Sequence, residues 1–183
     1  MGQKRMFAKE FIKVLAQFPD STVFVDLFGG SGLLSHITKC VRPDAAVVYN
    51  DFDNYRQRLA NIPVTNALLS DLRQIVAGVP RNKRITGEAR EKVLERLEKE
   101  EKEYGYVDYI TLSSSLLFAM KYVLSLEDMR KETLYNTIRL TDYPESKDYL
   151  EGLTVTSEDY KEVFKRYKDV PGVVFLVDPP YLS

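Results

Sequence analysis

Apolar residues fall into two patterns along this chain, short unbroken runs and longer stretches with helical spacing. Four runs are rich in β-branched residues and bounded by turn residues, which predicts strands. They cover residues 22–27, 45–49, 153–156 and 173–177. The last run has no polar interruption, so we expect a central strand, buried on both faces of a parallel sheet.

Helical spacing of apolar residues fills most of the chain between these runs. The predicted helices cover residues 7–18, 31–41, 54–60, 66–78, 85–104, 107–126, 127–140 and 158–167. Strands and helices alternate over residues 1–60 and 151–183, which predicts an α/β domain with a sheet of about four parallel strands. The pattern of residues 61–150 predicts a mostly helical insertion between the second and third strands.

Composition and charge narrow the class of protein without defining its chemistry. The chain has 183 residues with 26 Lys and Arg against 27 Asp and Glu, so any contact surface for nucleic acid must be local. A single Cys, Cys40, fits a reducing cytosol, and no apolar run is long enough for a membrane span. The chain has one His, His36, so we expect no metal site. We therefore expect a cytoplasmic protein without a membrane partner.

Residues 26–32 connect the first predicted strand to a helix, and their glycines suit the close approach of a ligand. Gly30 and Gly32 let the backbone turn into a helix N-terminus, where free N–H groups favour electron-rich atoms. A generic glycine turn has the same pattern. Asp51 follows the second predicted strand and is placed to accept hydrogen bonds from both hydroxyl groups of a ribose. Together these features indicate a nucleoside cofactor.

Carboxylates at the predicted strand ends narrow the choice of cofactor. Four of them fall at or just past the carboxyl end of a different strand: Asp26, Asp51, Asp159 and Asp178. Such a group of acids would repel a pyrophosphate, whereas it suits the sulfonium and ammonium groups of S-adenosylmethionine. No Walker lysine follows Gly32, which argues against a nucleoside triphosphate.

The final strand stops at a short polar and aromatic motif. This motif is Asp178-Pro179-Pro180-Tyr181. The prolines prevent further ladder pairing, so a carboxylate, fixed carbonyl groups and an aromatic ring would lie where open α/β sheets bind ligands. An ordinary surface turn would carry the same tetrapeptide.

Four motifs occur here in the order seen in one enzyme family. They are Gly2-Gln3-Lys4, Asp26-x-Phe28-x-Gly30-x-Gly32, Asn50-Asp51-x-Asp53 and Asp178-Pro179-Pro180-Tyr181. Over residues 1–60 and 151–183 the chain resembles the Dam-like DNA adenine-N6 methyltransferases. The resemblance implies a Rossmann-like methyltransferase sheet, S-adenosylmethionine as cofactor, double-stranded DNA as partner, and a target-recognition domain at residues 61–150.

The same resemblance implies roles for individual residues. Asp178 and the carbonyl group of Pro179, in the rigid Pro179-Pro180 pair, would accept hydrogen bonds from the adenine amine. Tyr181 would stack on the base after it is flipped out of the duplex. The cofactor-binding residues would be Lys4, Asp26, Phe28, Gly30, Gly32, Asp51 and Asp159. Of these, Asp26 and the glycines would hold the methionine part, Asp51 the ribose and Asp159 the adenine amine.

A basic stretch in the inserted region is the candidate DNA contact. Between Leu72 and Gly87 the chain has basic residues and no acid. Arg81, Lys83 and Arg84 predict an exposed loop that could meet phosphate groups. An ordinary solvated loop would have the same composition.

Several questions stay open at the level of sequence. Members of this family continue with further strands after the Asp-Pro-Pro-Tyr strand, so we expect a fragment of a longer enzyme, or a last strand whose free edge associates with another chain. Besides adenine methylation of DNA, the motifs suit an RNA or cytosine-amine methyltransferase, or a non-catalytic DNA-binding module. The recognised site is also open, as is a role in restriction-modification, phage protection or regulation.

Overall fold

The chain forms two compact units, each with its own hydrophobic core. A computed structural model describes the backbone of residues 2–118 and 121–178, and the side chains of residues 7–118 and 121–178. One unit combines Met1–Leu59 with Ser146–Ser183, and the other is Ala60–Glu145. Within the described ranges, no helix has the length and apolar character needed to cross a bilayer.

Helices and strands alternate at both ends of the chain, and helices dominate its middle. In chain order the elements are α1 (Gly2–Leu15), β1 (Val23–Asp26), α2 (Leu33–Val41), β2 (Ala46–Asn50), α3 (Tyr55–Ala60), α4 (Ile62–Ile75), α5 (Gly87–Tyr104), α6 (Tyr109–Leu116), α7 (Leu126–Lys131), β3 (Thr154–Thr156), α8 (Tyr160–Tyr167) and β4 (Val173–Leu176). Every predicted strand is present, with ends that differ by at most one residue from the expected bounds.

The four strands form one parallel sheet in the order β3-β2-β1-β4. Val25 of β1 lies opposite Val48 of β2 on one side and opposite Phe175 of β4 on the other. The predicted α/β class and the parallel sheet are confirmed. The strand that precedes Asp178 is therefore the direct neighbour of the strand that leads into the glycines.

Helices cover both faces of this sheet because successive strand residues point to opposite sides. On one face, Phe24 packs with Leu15 of α1 and Ile37 of α2. On the other face, Val25 packs with Val163 of α8. Phe24, Val25 and Val163 are completely buried, and burying each such side chain contributes roughly 1.5–3 kcal/mol.

Strand β4 differs from the expected central strand. In the described part of the sheet it is the outermost strand, and three of its four residues are only half-buried. Its residues pack on both faces of the sheet, Val174 and Leu176 on one face and Val173 and Phe175 on the other, but only Leu176 is fully buried, which corrects the expectation of a strand buried along its whole length. An unbroken apolar run also suits an edge strand whose face meets a helix, and the Phe175 ring lies 4.9 Å from the Phe164 ring of α8.

The second unit is built from α4 to α7 and two extended segments. Its core includes completely buried leucines on three helices: Leu69 and Leu72 of α4, Leu97 of α5, and Leu112 of α6. The predicted helices over residues 107–126 and 127–140 are much shorter in the structure, ending at Leu116 and Lys131.

The residues that follow Lys131 are extended instead of helical. Arg84 and Tyr135 form an antiparallel bridge, and the Ile85 N–H group donates to the Leu134 carbonyl oxygen at 2.8 Å. The Asn82 N–H group also donates to the carbonyl oxygen of Asn136 at 2.9 Å. Pairing between segments about fifty residues apart overrides the local helical spacing, which explains why the helix prediction fails here.

Candidate active site

A cavity of about 720 Å³ opens at the carboxyl ends of the strands in the first unit. This volume lies within the range of small-molecule and cofactor sites. The strand order reverses between β1 and β4, which is where open α/β sheets bind ligands. The lining residues are Phe7, Phe28, Gly29, Gly30, Ser31, Leu33, Leu34, Asn50, Phe52, Asp53, Glu158, Asp159, Tyr160 and Asp178.

The turn after β1 needs glycine at three positions, for two different reasons. Gly30 and Gly32 have φ values of 48° and 68°, in the left-handed region that other residues seldom adopt. Gly29 lies against the Tyr49 ring, and a Cβ atom there would come within 2.2 Å of it. The Gly32 N–H group donates to the Gly29 carbonyl oxygen at 2.7 Å, which closes the turn at the start of α2.

Asp26 is a buried acid at the end of β1, directly before this turn. Its side chain is 1% exposed, and its Oδ2 atom accepts a hydrogen bond from the Ser35 hydroxyl at 2.8 Å. Its Oδ1 atom has no hydrogen-bond partner among the described residues. Burial raises the pKa of Asp26 to about 6, against the lowering effect of Ser35 and of the Phe28 backbone N–H group, and the Asp178 carboxylate raises it further.

Asp51 is also buried, and its carboxylate is occupied by the protein. The Oδ1 atom accepts hydrogen bonds from the Tyr49 hydroxyl at 3.0 Å and the Tyr55 N–H group at 2.5 Å. The Oδ2 atom accepts from the Arg56 N–H group at 2.9 Å. These bonds cap the N-terminus of α3, where backbone N–H groups have no partner within the helix. Asp51 does not line the cavity.

Asn50 links three strand ends at the rim of the cavity. Its Nδ2 group donates to the carbonyl oxygens of Leu27 at 3.1 Å and Glu158 at 2.9 Å. Its Oδ1 atom accepts from the Glu158 N–H group at 3.0 Å and the Thr156 hydroxyl at 3.2 Å. The amide thus holds together the segments that follow β1, β2 and β3.

The segment after β3 supplies two acids to the rim of the cavity. Asp159 caps the N-terminus of α8, where its carboxylate accepts a hydrogen bond from the Lys161 N–H group at 2.8 Å. The neighbouring Glu158 forms a double hydrogen bond with the Arg166 guanidinium, at 2.9 and 2.6 Å. The pKa of Glu158 is lowered by this bond. Asp159 is therefore the less charge-compensated of the two acids.

The structure brings some of the sequence-predicted residues to the cavity and not others. Phe28, Gly30, Asp159 and Asp178 line it. Asp26, Gly32 and Asp51 lie outside its lining, and the two acids are buried. The Lys4 side chain and residues Pro179, Pro180 and Tyr181 lie outside the described residues.

Other lining residues have no role in the sequence-based prediction. Tyr160 packs against Phe28 with ring centroids 4.8 Å apart, and Phe52 lines the cavity although it is 69% exposed. Phe7 of α1 and Asp53 after β2 also contribute. Phe52 and Asp53 could have been found from the sequence, because they directly follow a predicted strand. Phe7 and Tyr160 could not, because their place at the cavity depends on how the helices pack.

The candidate DNA-contact residues of the second unit fall into two groups. Arg81 is held by the protein, because its Nη1 group donates to the Asn136 Oδ1 atom at 3.2 Å and the Ile138 carbonyl oxygen at 2.5 Å. Lys83 and Arg84 are exposed and lie on the segment that pairs with residues around Tyr135. Within the described part of the chain, no cluster of three or more His, Cys, Asp or Glu side chains could hold a metal ion.

Sheet order, glycine turn and cavity together are those of a Rossmann-like fold with a site of the size of a nucleoside cofactor. The profile of the D12 class N6 adenine-specific DNA methyltransferases matches residues 1–183, so the chain belongs to that family. A Haemophilus influenzae protein named "Putative methyltransferase" is 39% identical over the whole of this chain. The chain spans 62% of the length of that relative. No solved structure matches the chain significantly.

Proposed function

We propose that this protein transfers a methyl group from S-adenosylmethionine to the exocyclic N6 amine of adenine in double-stranded DNA. The observation that carries the proposal is the position of Asp178. It lines the same cavity as Gly30, because β4 pairs directly with β1. Membership of the adenine-specific family favours adenine in DNA over an RNA or cytosine amine.

Support for S-adenosylmethionine comes from the chemistry of the cavity and from the buried acid at the end of β1. The lining combines aromatic and apolar side chains, such as Phe28, Leu33 and Tyr160, with four acidic residues. Asp26 adds a buried carboxylate whose Oδ1 atom has no partner among the described residues. A cationic ligand would compensate that charge, whereas a pyrophosphate would be repelled by it. When bound, the cofactor supplies an electrophilic methyl group.

Asp178 acts on the amine that receives the methyl group. The lone pair of an exocyclic adenine amine is delocalised into the ring, so the nitrogen is a poor nucleophile. A carboxylate that accepts one amine N–H hydrogen bond draws the nitrogen towards tetrahedral geometry, which frees its lone pair. The same carboxylate would hold the proton that leaves the nitrogen. Pro179 would supply the second acceptor through its carbonyl group.

Residues 61–150 are proposed to recognise the DNA target. The unit Ala60–Glu145 has its own core and carries the exposed pair Lys83 and Arg84. Lysine and arginine contacts to phosphate groups supply affinity and orientation, whereas contacts to base edges supply sequence preference. Because its substrate is DNA, we place the protein in the cytoplasm, and a restriction-modification system is one setting for this activity.

Methyl transfer from labelled S-adenosylmethionine to unmethylated duplex DNA tests the proposal. We expect label in N6-methyladenine with the wild-type protein, and none with Asp178→Ala. Calorimetric titration with the cofactor should give similar affinities for both proteins, since Asp178 acts on the amine. Asp44→Ala, which removes an exposed acid outside the cavity, is the matched control. Full activity of Asp178→Ala would contradict the proposed role of this residue.

A further inference from the structure

The glycine turn is packed against a segment from far along the chain. A Cβ atom at Gly32 would come within 3.2 Å of the Leu150 Cδ2 atom and 3.5 Å of the Tyr149 Cε1 atom. Gly32 is also the N-cap of α2, with a left-handed backbone, and Gly29, Gly30 and Ser31 before it line the cavity. A movement of Tyr149 or Leu150 would therefore reach the turn by direct contact.

His36 fastens the same segment to the first turn of α2. Its backbone N–H group donates to the Gly32 carbonyl oxygen at 2.8 Å. Its imidazole ring stacks on the Tyr149 ring, with centroids 4.3 Å apart and an angle of 13° between the planes. Its Nδ1 atom lies 2.8 Å from the Tyr149 carbonyl oxygen, which can only accept, so Nδ1 carries a hydrogen and donates it. One residue of α2 thus contacts both the turn and Tyr149.

Tyr149 also contacts the helix that leads into the second unit. Its ring meets the Tyr55 ring edge-on, with centroids 6.3 Å apart and 67° between the planes. Tyr55 begins α3, and this helix ends at Ala60, where the second unit starts. Glu145 ends that unit, shortly before Tyr149 in the chain. The outgoing and the returning connection of the second unit therefore meet, within the first unit, at one aromatic contact.

This arrangement gives a continuous set of contacts from both connections to the cofactor turn. Coupling between two sites is carried by packed side chains and hydrogen bonds that can shift from one arrangement to another. The rings of His36, Tyr55 and Tyr149 are only half-buried, so they are less constrained than the core around Phe24. By linkage, a ligand of the second unit that changes the affinity for the cofactor has its own affinity changed by the cofactor to the same extent.

We propose that Tyr149, held by His36 and Tyr55, is a positioning residue that couples DNA binding by the second unit to cofactor binding at the glycine turn. DNA binding orders the two connections, and Tyr149 then holds Gly32 in the conformation that accepts the cofactor. Tyr149 does not line the cavity, so it acts through the turn and not on the ligand. This inference rests on the proposed function, because it takes DNA and S-adenosylmethionine as the two ligands.

Calorimetric titration with S-adenosylhomocysteine, with and without saturating unmethylated duplex DNA, tests the coupling. This probe has no methyl group to transfer, so no turnover disturbs the titration. The coupling factor is the dissociation constant without DNA divided by that with DNA. We expect about 5-fold or more for wild type, and about 1 for Tyr149→Ala. Tyr149→Phe keeps the ring and the backbone carbonyl group, so it should retain the wild-type factor.

His36→Leu is the second variant, because it fills the space of the ring but loses the stacking and the bond to the Tyr149 carbonyl oxygen. It should stay folded and also lower the coupling factor. Tyr104→Ala, at an exposed tyrosine of α5, is the control and should keep the wild-type factor.

A purely structural role of these residues would lower the melting temperature and leave the coupling factor unchanged. A wild-type factor in folded Tyr149→Ala or His36→Leu would therefore overturn the inference. A factor of about 1 in wild type would also overturn it, and would leave the proposed methyl transfer intact. Absence of cofactor binding by wild type, with or without DNA, would overturn both.

Discussion

The hydroxyl group of Tyr49 donates to the carbonyl oxygen of Gly30 at 2.8 Å, so a residue of β2 fixes the turn that follows β1. The same hydroxyl lies 3.0 Å from the Oδ1 atom of Asp51. Tyr49 is completely buried, and its burial, together with the Asp51 carboxylate, raises the pKa of its phenol. The phenol therefore stays protonated at neutral pH and remains a hydrogen-bond donor to the turn.

Replacing Tyr49 with Phe tests whether this donor organises the cofactor site. The variant keeps the ring against Gly29 but loses the hydroxyl hydrogen that the Gly30 carbonyl oxygen and the Asp51 carboxylate share. We expect the free energy of unfolding to fall by about 1 kcal/mol, and the affinity for S-adenosylmethionine to fall several-fold. Denaturant unfolding and calorimetry measure the two effects. Tyr104→Phe, at a residue that is 63% exposed, should change neither quantity.

Gly29→Ala should disturb the same turn by overlap instead of by a lost bond. A Cβ atom at residue 29 would lie 2.2 Å from the Tyr49 ring and 2.7 Å from the Asn50 carbonyl oxygen, so the turn or the strand must shift. We expect a loss of roughly 1–3 kcal/mol in the free energy of unfolding, and strongly weakened cofactor binding. Gly78→Ala is the control, since nothing lies within 4 Å of its added Cβ atom. Equal behaviour of the two variants would contradict the tight packing of residue 29.

The raised pKa of Asp26 predicts a stability that depends on pH. Burial, the largest cause, raises the pKa from 3.8 to about 6, so the folded protein binds more protons than the unfolded chain between these values. The contribution of Asp26 to the free energy of unfolding is therefore fully present in acid, and is lost as the pH rises through about 6. A shift of this size corresponds to about 3 kcal/mol at most.

Comparison with Asp26→Asn isolates this contribution. Between pH 4 and pH 7 the free energy of unfolding of the wild type should fall relative to that of the variant. Denaturant unfolding at pH values about one unit apart measures this difference. Affinity of the wild type for S-adenosylmethionine should rise over the same range, because the ionised carboxylate attracts a cation. A difference between the two proteins that stays constant with pH would show that Asp26 titrates normally.

Of the three basic candidates in the second unit, we expect Arg81 to be structural, and Lys83 and Arg84 to contact DNA. Arg81→Ala leaves the Ile138 carbonyl oxygen and the Asn136 amide without this donor, and both residues are buried. We expect it to lower the free energy of unfolding by about 1–2 kcal/mol. The salt dependence of DNA binding by Arg81→Ala should match that of wild type.

The double variant Lys83→Ala/Arg84→Ala should keep the stability of wild type and bind all DNA sequences more weakly. The slope of log affinity against log salt should become less steep by about 0.9 for each lost phosphate contact. Filter or fluorescence binding at several salt concentrations measures this slope. Lys99→Ala, which removes an exposed lysine of α5, serves as the control. An unchanged slope in the double variant would remove these residues from the proposed interface.

The sheet could be predicted from sequence because its strands are local signals. Short β-branched runs that end at Asp, Gly or Pro locate a strand without knowledge of its partners. Residues 132–140 have no such local signal, since their extended conformation depends on pairing between Tyr135 and Arg84. Periodicity contains no information about a partner fifty residues away, so a helix was the natural but incorrect prediction.

The candidate site was predictable at the level of loops and less so at the level of atoms. Phe28, Gly30, Asp159 and Asp178, which were selected because they lie at or near strand ends, line one cavity. The position of Asp51 after the second strand led to its prediction as the ribose acid, whereas its capping bonds could not be predicted, because they depend on where α3 begins. The role of Tyr49 could not be predicted from the sequence either, because its hydroxyl contacts the turn that follows the neighbouring strand.

Ala60–Glu145 is one continuous stretch with its own apolar interior, inserted into the α/β unit at a single point. Under the proposed division of labour, an exchange of this stretch between related enzymes would alter which DNA is chosen and leave the methylation chemistry untouched. Specificity and reactivity can then diverge independently over evolutionary time.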